Sequence, residues 1–183
     1  LTHENKSIEE NYLIVNIGTG TSWHVVNGDK VERILGSGIG GGTFTGLGSL
    51  LTQVQGYQQL TILANEGNKA NVDLLVKDIY ESSESPVNGD LTAANFAKGK
   101  KNDHMESDRL ASLSNMIAET ICLLTSQAAG IHQVKSAVII GSAIVGNNSL
   151  RQALNFYMNM VGVTPVFLEK GEYSGAIGAY LTV

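Results

Sequence analysis

Two glycine-dense stretches stand close together near the start of the chain. The first is Gly18-Thr19-Gly20-Thr21-Ser22 and the second is Gly36-Ser37-Gly38-Ile39-Gly40-Gly41-Gly42. The second runs into Thr43-Phe44-Thr45-Gly46-Leu47-Gly48-Ser49-Leu50-Leu51, where apolar residues recur at helical spacing. Glycine lets a ligand approach the main chain closely. A helix starting near Gly42 or Thr43 would turn unpaired amides and the positive end of its dipole toward the loop, the arrangement that holds a phosphate. A flexible turn ahead of a helix is the plainer alternative. The nearby Gly18 turn shifts the reading toward a nucleotide. A third turn, Gly141-Ser142, follows the apolar run Ser136–Ile140. Ligands gather at the carboxyl ends of strands in open α/β sheets, so the three turns are expected to converge on one cleft. Arg33, between the first two, reads either as a clamp for an anionic or polar substrate or as an exposed strand residue.

Other chemistries lack support. His3, His24, His104 and His132 show no metal-ligand spacing, and Cys122 sits mid-helix with no base nearby in sequence. No Gly-Lys-Ser or Gly-Lys-Thr follows the glycine loop, which argues against a P-loop. The net charge of -5 argues against a nucleic-acid partner but permits a nucleotide. One cysteine excludes an intrachain disulfide and fits a reducing, cytoplasmic setting. The 183 residues, 43% of them hydrophobic, make one domain or one lobe of a larger protein, with no membrane span or signal peptide expected.

The elements that must position these turns follow from periodicity. Tyr12–Ile17 reads as a buried strand, and Ser22–Val26 and Lys30–Leu35 as a hairpin about Asn27-Gly28. Helices are expected from Thr43 to about Gln55, over Tyr57–Ala64 and, from apolar Val72, Leu75, Val76 and Ile79, over Val72–Tyr80. A polar loop spans Glu81–Asp90, and Lys98-Gly99-Lys100-Lys101 reads as a solvated turn. Ser107–Ala129 is the longest helical signal, ended by Gly130. Its apolar surface is broader than one face needs, from central burial or from a partner helix. Strand Ser136–Ile140, helix Leu150–Val161, strand Pro165–Leu168 and helix Ser174–Leu181 complete an α/β layered domain.

The motifs Asn16-Ile17-Gly18-Thr19-Gly20-Thr21-Ser22, Arg33, Gly40-Gly41-Gly42-Thr43-Phe44-Thr45-Gly46-Leu47, Gly89-Asp90-Leu91-Thr92-Ala93-Ala94-Asn95-Phe96, Ile140-Gly141-Ser142 and Tyr173-Ser174-Gly175-Ala176-Ile177-Gly178-Ala179, in this order, resemble the type II pantothenate kinases. The resemblance runs from about Tyr12 to Leu181. It implies an actin-like ATPase/ribonuclease H-like fold of the acetate and sugar kinase/Hsp70/actin superfamily. It also implies ATP-dependent phosphorylation of the 4′-hydroxyl of pantothenate, the first step toward coenzyme A, with Mg²⁺ as a cofactor and a homodimer paired through the Ser107–Ala129 helix. Carried over by position, Thr19, Gly41, Gly42, Thr43, Phe44, Thr45, Tyr57 and Ser142 match ATP contacts, and Ser22 and Arg33 match pantothenate contacts.

The family also carries an Asp-x-Gly-Gly-Thr phosphate loop and a general-base Glu ahead of the Gly18 region. Neither is found here, and Glu4, Glu9 and Glu10 are not assigned the base's role. Residues 1–183 are therefore expected to form a single C-terminal kinase lobe with the strands leading into it. The N-terminal lobe is expected to be missing, the base to lie ahead of Leu1, and the chain alone to be inactive. Trp23 stands where the family usually has an aliphatic residue. The alternatives are a sugar or amino-sugar kinase of the same superfamily and a non-catalytic nucleotide-binding or oligomerising module.

Overall fold

The computed structural model describes residues 10–80, 87–99 and 104–181. Glu4, Glu9, Lys100, Lys101, most of the expected 81–90 loop and the last two residues lie outside them. A five-stranded mixed sheet is built from β1 (Asn11–Ile17), β2 (Thr21–Asn27), β3 (Lys30–Ser37), β6 (Ser136–Ile140) and β7 (Thr164–Phe167), in the order β3-β2-β1-β6-β7. The first three strands form an antiparallel meander, while β6 pairs parallel to β1 and β7 parallel to β6. The β2–β3 hairpin turns at Gly28-Asp29, between register partners Asn27 and Lys30, with Gly28 at φ 58°. The glycine takes the left-handed conformation that such a turn requires.

Between β3 and β6 come α1 (Gly41–Leu51), α2 (Tyr57–Asn65), the small strands β4 (Leu74–Leu75) and β5 (Thr92–Ala94), and α3 (Glu106–His132). The chain then runs through α4 (Asn148–Met160), between β6 and β7, and ends its described part in α5 (Ser174–Leu181). Alternation along β1 and β2 buries Leu13, Val15, Ile17, Trp23 and Val25 against Leu110, Leu113, Ile117 and Ile121 of α3. Full burial of each such side chain contributes about 1.5–3 kcal/mol. Trp23 is wholly enclosed, and its indole N–H donates to Thr125 Oγ1 at 2.8 Å, which in turn donates to the Ile121 carbonyl at 2.7 Å. The Trp23 ring therefore ties the sheet to the central helix. Helix α3 also packs on α1, α2 and α4, so central burial accounts for most of its broad apolar surface.

Three expected boundaries are corrected. The apolar spacing over Val72–Tyr80 does not make a helix: Leu74–Leu75 pairs with β5, and Val76–Asp78 is one 3-10 turn. Asp73 explains the difference. Its fully buried carboxylate accepts the Phe96 N–H at 2.9 Å and the Ser112 hydroxyl, which holds this segment extended beside α3, while Asp78 accepts the Leu75 N–H at 2.8 Å. Helix α1 stops at Leu51 rather than near Gln55, because Thr52 is extended and its hydroxyl bonds back to the Gly48 carbonyl at 2.8 Å. Helix α3 runs through Gly130 to His132 and ends where Gln133 turns left-handed at φ 56°. Lys98 is also more than a solvated turn residue: it pairs with Asp78 at 2.7 Å and donates to the Ala70 carbonyl at 2.9 Å.

Candidate active site

The three turns meet at the carboxyl ends of β1, β3 and β6, as their positions in sequence require. The Gly18–Gly20 turn closes on itself through Gly18 N–H to the Gly20 carbonyl at 2.9 Å. Gly41 N–H then donates to the Gly18 carbonyl and Gly42 N–H to the Thr19 carbonyl, both at 2.8 Å. Two of the α1 amides expected to face a ligand are thus spent on joining the turns. The glycines serve this joint. A Cβ on Gly40 would lie 2.8 Å from the carbonyl carbon of Gly20. Gly141, at φ 108°, would drive a Cβ into the Ile17 carbonyl.

The joined turns leave a cleft of about 340 Å³ lined by Gly18, Thr19, Gly41, Gly42, Thr45, Tyr57, Ser142 and Ala143. Thr19 and Ser142 are exposed at its surface. Thr45 Oγ1 donates to the Gly41 carbonyl at 2.9 Å. The Tyr57 hydroxyl donates to the Ala143 carbonyl and accepts from Asn147 Nδ2 at 3.4 Å; burial pushes its pKa up, so the phenol stays protonated. Among the described residues no charged side chain lines the cleft. Six of the eight positions matched to ATP contacts therefore share one wall. The other two stand apart. Phe44 is buried in the core, edge-on to the Tyr57 ring at 5.6 Å between centroids, and the Thr43 hydroxyl turns back to the Gly38 carbonyl at 2.9 Å.

Ser22 and Arg33 lie outside this cleft. Ser22 pairs in register with Asn16 on one side and Gly36 on the other, and Arg33 pairs with His24. A register shift between Trp23 and His24 brings Arg33 into step with His24 on the sheet face opposite the buried Trp23. A Cβ on Gly36 would meet the Arg33 guanidinium at 2.8 Å, so the Arg33 side chain lies along the strand toward Gly36, the partner of Ser22. The two positions matched to pantothenate contacts thus come together on the outer sheet face, beside the turn that carries Thr19.

Some residues that shape the site gave little signal in the sequence. Asn147 caps α4 by accepting the Leu150 N–H at 3.0 Å and reaches Tyr57 with its amide. Asn65 donates to the Gly146 carbonyl at 2.9 Å and accepts the Ser149 N–H at 3.0 Å. Together they fix α2 against the turn that follows β6, and so fix the far wall of the cleft. An Asn just before an apolar helical run is a cap signal, and the cap at Asn147 was open to that reading. Asn65 pairs across 81 and 84 positions, which no local pattern encodes.

A second cavity, of about 350 Å³, opens where α3 and α4 meet the 67–69 and 90 region. Beside it Lys69 Nζ donates to Asn115 Oδ1 and to the Tyr157 hydroxyl, both at 2.9 Å, and Tyr157 donates to Asn115 Oδ1 at 3.0 Å. Burial lowers the Lys69 pKa and raises those of Tyr157 and Asp73. These groups satisfy one another, and they tie α3 and α4 to the segment around β5.

The Fumble family profile matches residues 2–182. A type II pantothenate kinase of Staphylococcus saprophyticus is 40% identical over 98% of this chain and 69% of its own length, and one of Oceanobacillus iheyensis is 41% identical over 100% and 68%. A type II pantothenate kinase of Staphylococcus aureus is 39% identical over 92% of this chain and 64% of its own. Among solved structures, a non-polymerisable pCBH ParM mutant aligns with TM-score 0.52 at 13% identity, over 96% of this chain and 47% of that one. A Bacillus thuringiensis ParM hybrid with ADP aligns with TM-score 0.56 at 10% identity, over 100% and 25%. Those two likenesses establish the fold as actin-like. The match over almost the whole chain, with relatives at about 40% identity, establishes that the chain belongs to the Fumble family, that of the type II pantothenate kinases.

Proposed function

We propose that the chain serves ATP-dependent phosphorylation of pantothenate to 4′-phosphopantothenate, the first step of coenzyme A biosynthesis, in the cytoplasm. The observation that supports this reading is that the residues flanking one glycine turn fall into two groups, a cleft lining and a polar strand face. On one side lies the cleft with exposed Thr19 and Ser142; on the other lies the Ser22–Arg33 face. Thr19, Ser142, Thr45, Tyr57 and the Gly41-Gly42 backbone bound the nucleotide side, and Thr43 and Phe44 support that wall from behind. Ser22 and Arg33 hold the polar substrate.

The 4′-hydroxyl oxygen attacks the γ-phosphorus, the bond to the bridging oxygen of ADP breaks, and the hydroxyl proton passes to a base. Such transfer depends chiefly on positioning and charge stabilisation, which turns at strand ends supply. Among the described residues no carboxylate lines the cleft to act as that base. Mg²⁺ belongs to the same reading: an ion of this kind would be held by the phosphates of ATP with few protein ligands, and would supply charge neutralisation on the transferred group; no group of three or more His, Cys, Asp or Glu is placed to hold a metal among the described residues.

A homodimer belongs to the same reading, supported by exposed Leu123, Met160 and Val161 beside a further cavity between α3 and α4. Light scattering of the full-length gene product would read twice the monomer mass. The substrate is tested by supplying that product with ATP, Mg²⁺ and either pantothenate, glucose or N-acetylglucosamine. Turnover confined to pantothenate is expected; turnover of a sugar alone would favour a sugar kinase, and none at all a binding module.

A further inference from the structure

We infer that His24 is a positioning residue for the polar substrate, acting through Arg33. The inference rests on the pantothenate reading above. His24 and Arg33 are register partners across β2 and β3, at the shift in register that follows Trp23. Because successive side chains alternate between faces, His24 shares the outer face with Ser22, two positions away, while Trp23 between them is buried in the core. The rung Ile14–His24–Arg33 thus lies directly beside the rung Asn16–Ser22–Gly36, and the Arg33 guanidinium reaches from the first to the second. Polar groups from three strands converge there, and His24 is the titratable one next to the guanidinium.

The neutral imidazole fits this position. Half-buried beside a guanidinium, it offers one nitrogen as an acceptor and leaves Arg33 free to lie over Gly36. A proton on His24 would set two cations side by side on one rung, a repulsion that Arg33 relieves by leaving Gly36 and Ser22. The groups around His24 favour the neutral form. Burial and the Arg33 charge both hold its pKa below the ordinary histidine value. On the other side β1 presents Ile14 in register, with Tyr12 and Asn16 on the neighbouring rungs. Among the described residues no carboxylate contributes to the His24 shift. The sign follows: with a lowered pKa, His24 is neutral at pH 7 and gains its charge only in acid. Substrate capture is therefore intact at neutral pH and is lost as pH falls through that range.

The test compares the full-length wild type with His24→Gln, which keeps hydrogen-bonding capacity without titrating, and His24→Lys, which fixes the charge. KM for pantothenate and for ATP is measured from pH 5.5 to 8. For the wild type, KM for pantothenate is expected to rise on acidification severalfold more than for His24→Gln, with about tenfold as the ceiling at pH 5.5 because the His24 pKa lies below the ordinary histidine value. His24→Lys is expected to show the raised value throughout, and KM for ATP is expected to stay the same in all three. A merely structural histidine would shift both substrates, or neither, and would leave the pH dependence intact. Superimposable pantothenate profiles for wild type and His24→Gln would overturn the role of His24 while leaving the kinase reading standing; absence of wild-type pantothenate turnover would overturn both. Thermal melts check folding, and should His24→Lys fail to fold, the His24→Gln profile decides alone.

Discussion

Replacing Thr125 with Val isolates the link between the sheet and the central helix. The two side chains have nearly the same shape, so packing around the site is kept while the acceptor of the Trp23 indole N–H disappears. Both partners are fully buried, and no water can substitute. Leaving such a donor unpaired costs about 1–3 kcal/mol. The hydroxyl's own bond to the Ile121 carbonyl is lost as well, but that carbonyl keeps its place in the helix. For a domain of this size each kcal/mol lowers Tm by about 2–4 °C, so a drop of several degrees is expected. Trp23 is the single tryptophan of the sequence, and its fluorescence follows unfolding of this joint directly. Urea titrations of wild type, Thr125→Val, Trp23→Phe and the double variant would yield the coupling energy, expected at about 1 kcal/mol or more for a buried contact pair. A Thr125→Val variant within about 0.3 kcal/mol of wild type, with no measurable coupling, would refute the reasoning.

Gly41→Val is expected to raise KM for ATP by at least about tenfold, since a Cβ there already lies 3.0 Å from both the Gly18 carbonyl and Ala143, and further branching must part the turns. Calorimetry with an ATP analogue on the folded variant would check it; unchanged affinity would make the loop a packing turn only. Lys69→Met probes the buried network. The Lys69 pKa is lowered in the folded chain, so above it the unfolded chain binds the extra proton and stability rises with pH toward 10.5. Urea unfolding between pH 8 and 10.5 should show a steeper rise for wild type than for Lys69→Met, and identical slopes would contradict the assignment.

The sequence made the site's location legible through its punctuation. Gly18 and Gly141 each follow the end of a strand, Gly36 stands one residue before the end of β3, and the parallel pairing of β1 with β6 brings the first and third turns side by side. The hairpin about Asn27-Gly28 was readable for the same reason: its geometry is local. What resisted reading depends on partners far along the chain. Asp73 keeps an apolar stretch out of a helix by bonding to Phe96, Ser112 and Asn115, and helical periodicity gives no hint of that. The Gly41 and Gly42 amides looked free for a ligand because their acceptors, Gly18 and Thr19, are neighbours only in the fold. The width of α3 was legible as a fact, but helix contacts on several sides were needed to explain it.

The central claim is that the Gly18–Gly20 turn separates a nucleotide cleft from a pantothenate face, with Arg33 on the latter. Arg33→Ala in the full-length gene product tests this most directly, through steady-state kinetics with each substrate varied in turn. Removing a charged donor that acts on the reacting substrate should cost about 2–4 kcal/mol, a fall in kcat/KM for pantothenate of roughly thirtyfold to several hundredfold. KM for ATP should remain at the wild-type value, because Arg33 lies outside the cleft of Thr19, Tyr57 and Ser142. An unchanged kcat/KM for pantothenate, or an equal loss in the use of both substrates, would contradict the division of the site.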